Sequence, residues 1–319
     1  MYDGEMLEMI LIVLGLVVFE VVMSIDNAVI NADVISTMKS ARARRFFLTW
    51  GIFFAVFVVR GILPALIVFF ANPSVGIFGA FTSTWSNDPS VLHAIEAATP
   101  VIMMAGGMFL LLLWLHWLFI ENRKFGFAFE EPVKKYGGVW FYALAALLLV
   151  GTLIAINETV TIGAMHLALA AAVGFSVFFI TQGFKENAEE IEKRLMASGE
   201  ESAMSDWAKV AFLEVIDMTF SIDGVIGAFA FTTIVPLILI GNGIGAIVIR
   251  QLTVHGVDRI RSYSYLKNGA MYSIGFLGVV MMLHAFHVDV AVWVSPIVTF
   301  AAVGYFFWRS VKENREKAS

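Results

Sequence analysis

Long apolar runs alternate with short polar interruptions along almost the whole chain. A helix needs about 20 mainly apolar residues to cross the hydrocarbon core of a bilayer. Nine stretches approach or exceed that length, at roughly 7–31, 46–70, 98–120, 140–156, 164–183, 208–231, 235–254, 268–287 and 290–308. The expected fold is all-α, a polytopic transmembrane helix bundle forming a single membrane domain over residues 1–319. Between the fourth and fifth stretches the segment from Ile156 to Gly163 is polar enough for a turn, and little more than Val288-Asp289 separates the last two. Residues 72–97, with Asn72-Pro73, Gly76, Gly79 and Asn87-Asp88-Pro89, read as an irregular outer loop, and 185–206 as a charged cytoplasmic loop, partly helical.

Composition agrees with this pattern. Hydrophobic residues make up 59% of the chain and charged ones 15%, against roughly one quarter charged in soluble domains. The net charge of −5 and the lack of a basic stripe point away from nucleic acid. There are no cysteines, so disulfides, thiolate metal sites and cysteine nucleophiles are excluded. Met1 to Glu8 carries Asp3, Glu5 and Glu8 and no Lys or Arg, unlike a signal peptide, so the first apolar run is expected to be retained. If nine spans alternate, 19 of the 21 basic residues fall on one side, Lys185, Lys193, Arg194 and Lys209 among them. By the positive-inside rule the N-terminus is then outside and the C-terminus cytoplasmic, in the plasma (inner) membrane. The two remaining basic residues, Arg60 and Arg250, lie inside spans.

Two segments repeat. Glu20-Val21-Val22-Met23-Ser24-Ile25-Asp26-Asn27 lies in span one, and Asp217-Met218-Thr219-Phe220-Ser221-Ile222-Asp223-Gly224 in span six. In each, Ser-Ile-Asp follows an acidic residue placed six positions before the aspartate. Each is followed by a span in which Gly and Arg are separated by eight residues, Gly51 to Arg60 and Gly241 to Arg250. Span one runs inward and span six outward, so the repeats are inverted: one half covers about 7–120, the other about 208–308, and spans within about 140–183 link them. Inverted repeats mark transporter folds whose sites lie near the midplane at the repeat interface.

Intramembrane carboxylates are costly unless paired, hydrated or protonated. Glu20, Asp26, Glu214, Asp217 and Asp223 face only Arg60 and Arg250, leaving −3 if all are ionised, which a divalent cation lowers to −1. Glu20, Ser24, Asn27 and Asn31 share one helical face, as do Glu214, Asp217 and Ser221. Asp26 and Asp223 point elsewhere on a continuous helix, so either each helix unwinds near Ser-Ile-Asp or each has two polar faces. The oxygen-rich donor set suits Mg, Ca or Mn. Asp26 and Asp223 could instead pair with Arg60 and Arg250. Asn268, Tyr272 and Ser273 open span eight and could reach the site. The six histidines are scattered and read as interfacial or packing residues.

The segments Phe19–Ala32 and Phe212–Ala230, with Gly241-Asn242 and Arg250, resemble the TerC family of integral membrane proteins, within the LysE-type transporter group. Tyr265–Gly275 resembles a poorly characterised branch of it. The family is associated with tellurium resistance and with manganese export. The resemblance implies a Mn²⁺ exporter with Glu20, Asp26, Asn27, Glu214, Asp217 and Asp223 at the metal, supported by Ser24, Asn31, Ser221, Arg60, Arg250 and Asn242. The expected partners are the bilayer and the transported cation, with no prosthetic group. Competing expectations are an exporter of a small organic solute, with Arg60 and Arg250 holding a carboxylate, and a non-transporting stress-complex protein. An intramembrane aspartyl protease is disfavoured, because its Gly-x-Gly-Asp pattern is absent, and no enzymatic activity is expected.

Overall fold

The computed structural model describes residues 2–51, 89–198, 205–255 and 262–318, with a few isolated positions between them. Within these residues the protein is all-α. The helices are α1 (Tyr2–Met23), α2 (Ile25–Thr37), α3 (Ala41–Phe46) running into a π-helical turn (Phe47–Gly51), α4 (Pro89–Phe119), α5 (Glu130–Lys135), α6 (Val139–Thr159), α7 (Ala164–Ser198), α8 (Asp206–Ala228), α9 (Val235–His255), α10 (Leu266–Ala285) and α11 (Val294–Ala318). Six of them, α1, α4, α6, α7, α10 and α11, are long and apolar enough to cross a membrane. The chain is a polytopic helical membrane protein. Of the other expected spans, 235–254 corresponds to α9, whose apolar stretch is the shorter Val235–Gln251. The span at 208–231 corresponds to α8, diluted by Asp206, Lys209, Glu214, Asp217 and Asp223. Most of 46–70 lies outside the described residues.

Several boundaries differ from the sequence reading. The segment 72–97 is not loop throughout, because α4 begins at Pro89. Within 185–206, expected to be partly helical, α7 continues without a break to Ser198. A charged end on a helix that is already nucleated extends it at little cost. The turn between α6 and α7 is where expected, with Gly163 at φ +80°, a conformation that suits a residue without a β-carbon.

The bundle is built around α4 and α10. Of their spanning segments 72% and 61% are buried, against 22% for α6, which turns Leu147, Val150 and Ile154 outward. Apolar side chains facing outward are what lipid requires, because every backbone group is already satisfied inside the helix. Small residues set the close approaches. A β-carbon on Gly278 would lie 3.0 Å from Leu111, and one on Gly275 2.7 Å from the Trp114 ring, so α4 and α10 run antiparallel. Gly174 abuts the Ala105 carbonyl and Phe178 meets Phe109, so α4 and α7 run parallel. Gly241 packs on Leu16 and Gly245 on Glu20, so α1 and α9 run parallel as well.

Candidate functional site

The first repeated motif straddles a helix interruption. α1 ends at Met23 and α2 starts at Ile25, with Ser24 between them at φ −89°, ψ 4°. The ladder is only bent there, because Ser24 N–H still donates to the Glu20 carbonyl (3.0 Å) and Ala28 N–H to the Ser24 carbonyl (2.9 Å). The second motif differs: α8 passes through Ser221-Ile222-Asp223 as one continuous helix. Of the two alternatives open in the sequence, the first motif takes the interruption and the second does not.

Glu20 is fully buried at this bend. Its Oε1 accepts a hydrogen bond of 2.6 Å from Ser24 Oγ, as their shared helical face requires. Its other side is shaped by glycines of the second half. A β-carbon on Gly224 of α8 would lie 3.2 Å from Glu20 Oε2, and one on Gly245 of α9 would lie 2.6 Å from Glu20 Cβ and Cγ. The first motif's carboxylate thus meets the second motif beside Asp223. One helical turn before Gly245 on α9, Asn242 is fully buried, and neither its amide nitrogen nor its oxygen has a hydrogen-bond partner in the structure. Asn31 on α2, which packs on α9, is also buried with its Oδ1 unpartnered.

Asp223 is 4% exposed and forms an ion pair with Lys185 of α7, itself 8% exposed. Its Oδ2 takes the Lys185 Nζ hydrogen bond; its Oδ1 is buried with no hydrogen-bond partner. The expected charge partners were Arg60 and Arg250. Arg60 lies outside the described residues, Arg250 sits half-buried on α9, and the cation found at Asp223 is Lys185. Lys185 opens the segment expected to be a partly helical cytoplasmic loop; the unbroken continuation of α7 carries it into the bundle. Glu214 lies apart from this junction. It packs against Gly51 of the π-helical turn, where an added β-carbon would overlap Oε1. Asp26 and Asn27 belong to α2, and Asp217 and Ser221 to α8, but their side chains lie outside the described residues. Among the described residues, no three His, Asp or Glu side chains converge in a metal-binding group.

A third buried carboxylate lies outside the two repeated motifs. Glu130, at the start of α5, is fully buried and accepts from Arg123 Nε (3.2 Å), Gly126 N (3.0 Å), Phe127 N (3.0 Å) and Tyr272 Oη (2.6 Å). The Arg123 guanidinium also lies 4.0 Å from the centre of the Trp117 ring and donates to the Trp117 and Leu118 carbonyls at the end of α4. Tyr272 therefore belongs to this cluster and not to the motif junction. Asn268 likewise donates to the Lys124 carbonyl at 3.0 Å, and Ser273 to the Gly269 carbonyl at 2.9 Å. His116 packs as expected, edge-on to Phe141 at 5.3 Å.

The chain belongs to the family described as "Protein of unknown function (DUF475)", whose sequence profile matches residues 25–317. This corrects the TerC resemblance drawn from the two motifs, since that family is a different one. The chain is also similar to the "Uncharacterized membrane protein YceF" of Bacillus subtilis (strain 168), 32% identical over 96 residues, which are 30% of this chain and 37% of that protein. The chain thus matches little more than a third of that relative's length. No solved structure matches.

Proposed function

We propose that this protein is a secondary transporter that exports a hard divalent cation, Mn²⁺ being the first to test, through a site at the junction of α1, α2, α8 and α9. The observation that carries this reading is Glu20: a fully buried carboxylate at a helix bend, held against Gly224 of the other motif. Buried charge within a membrane bundle is expensive and marks ion pathways by default. Interrupted helices at the interface of two halves are a common frame for such sites, and here the first motif supplies the interruption. The buried Asn242 amide, one turn from Gly245 on α9, adds a neutral oxygen near it, and an oxygen-rich donor set favours Mn²⁺, Mg²⁺ or Ca²⁺ over softer ions. Asp26, Asn27, Asp217 and Asp223 are the further candidate ligands, with Ser24 orienting Glu20. In this reading the N-terminus is outside and the basic loops are in the cytoplasm, as the charge distribution favours.

One observation favours a second reading. The Lys185–Asp223 pair presents both an ammonium and a carboxylate, the two groups that a zwitterionic organic solute would engage. The decisive experiment is flux in proteoliposomes of the purified full chain, with radiolabelled Mn²⁺, Mg²⁺ and Ca²⁺ in parallel with a mixture of amino acids. Cation uptake by the parent protein that is lost in Glu20→Gln is the expected result. Amino-acid flux without cation flux would replace the first reading with the second, and no flux of either kind would sink both.

A further inference from the structure

Resting on the transporter reading above, we infer that Lys185 is a tethered counter-cation for Asp223: its ammonium occupies the cation's place when the site is empty and is displaced when cargo binds. A carrier that moves a divalent cation must return without it, and its buried carboxylates then lose their counter-charge. Asp223, 4% exposed, meets that problem with a lysine from α7, a helix outside both repeated segments. Lysine suits the task because it is a compact point charge on a flexible stem, able to withdraw without dismantling a planar bidentate contact. The carboxylate is also left half-used. Oδ2 receives the ammonium while Oδ1, equally buried, has no hydrogen-bond partner. At Glu130, by contrast, four donors occupy both oxygens. A buried pair that served only to hold helices together would be expected to satisfy both oxygens. The site is placed to communicate with the cargo, because Gly224, the next residue after Asp223, is the one that Glu20 Oε2 packs against.

The test separates net uptake from cargo-for-cargo exchange, using Mn²⁺ and the full chain in proteoliposomes. Exchange never requires the empty carrier to return, so it does not need the lysine; net uptake does. Lys185→Gln is expected to lower net uptake about tenfold or more while exchange stays within about twofold of the parent. Equal loss of both, or undiminished net uptake, would overturn the inference and leave the transporter reading standing. Parent protein with neither flux would instead overturn the transporter reading, and this inference with it. Lys185→Arg keeps the charge and so protects folding. Its bidentate, more tenacious pairing should raise the Mn²⁺ concentration for half-maximal uptake roughly fivefold. An unchanged half-saturation would count against displacement even if Lys185→Gln could not be purified in folded form.

Discussion

Glu130 and Asp223 are both carboxylates removed from solvent, and they are treated in opposite ways. Glu130 is saturated by a guanidinium, two backbone amides and a tyrosine hydroxyl, drawn from the loop between α4 and α5 and from α10. Asp223 has one lysine ammonium on one oxygen and no hydrogen bond on the other. Fully satisfied buried charge rigidifies and specifies a structure, whereas partly satisfied charge is costly enough to need another reason for its presence. The first is a clamp that joins the loop after α4 to α10. The second has the character of a site.

This contrast can be broken, and the largest effect is expected at the clamp. Glu130→Ala strands the Arg123 guanidinium among buried groups and should cost about 3–5 kcal/mol. Thermal unfolding in detergent would show it, and an unchanged midpoint would mean that the clamp contributes nothing. Tyr272→Phe removes one neutral donor to a charged acceptor and should cost about 1.5–3 kcal/mol, with flux otherwise intact once folded protein is compared. A loss of specific flux at full folding would instead move Tyr272 into the transport site. Gly245→Ala presses a methyl group onto Glu20 Cβ and Cγ at 2.6 Å, for an overpacking cost of about 1–3 kcal/mol, and should impair flux more than stability alone explains. Flux that simply tracks the folded fraction would weaken the placement of the site at Glu20. The smallest stability effect belongs to the double variant Lys185→Gln with Asp223→Asn. Replacing both members of a buried pair by neutral groups should leave stability within about 1 kcal/mol, yet abolish net cation uptake. Retained uptake would reduce Asp223 to a structural residue.

The family assignment shows where local reading overreached. Phe19–Ala32 and Phe212–Ala230 carry Ser-Ile-Asp with flanking acids, and these were enough to suggest TerC. The match over 25–317 places the chain elsewhere. Short acidic motifs in apolar helices reflect what any intramembrane polar site must contain, so they speak to chemistry more reliably than to descent. The i, i+4 relation of Glu20 and Ser24 was readable because helical periodicity alone sets it, and a 2.6 Å hydrogen bond now joins them. The bend at Ser24 was open as one of two alternatives, since a serine within a helix can bend it or remain neutral depending on its neighbours.

What the sequence determined by itself is the helical membrane architecture and the presence of buried acids in two related segments. Both follow from hydropathy and periodicity, which act over one helix at a time. Only the tertiary structure decided which charge meets which. Lys185 and Asp223 are 38 positions apart and Tyr272 and Glu130 are 142 apart, and nothing along the chain links them. In the bilayer a charge takes whatever partner helix packing brings within reach. That packing is governed by glycine approaches such as Gly174 on Ala105 and Gly275 on Trp114, whose fit depends on both surfaces together.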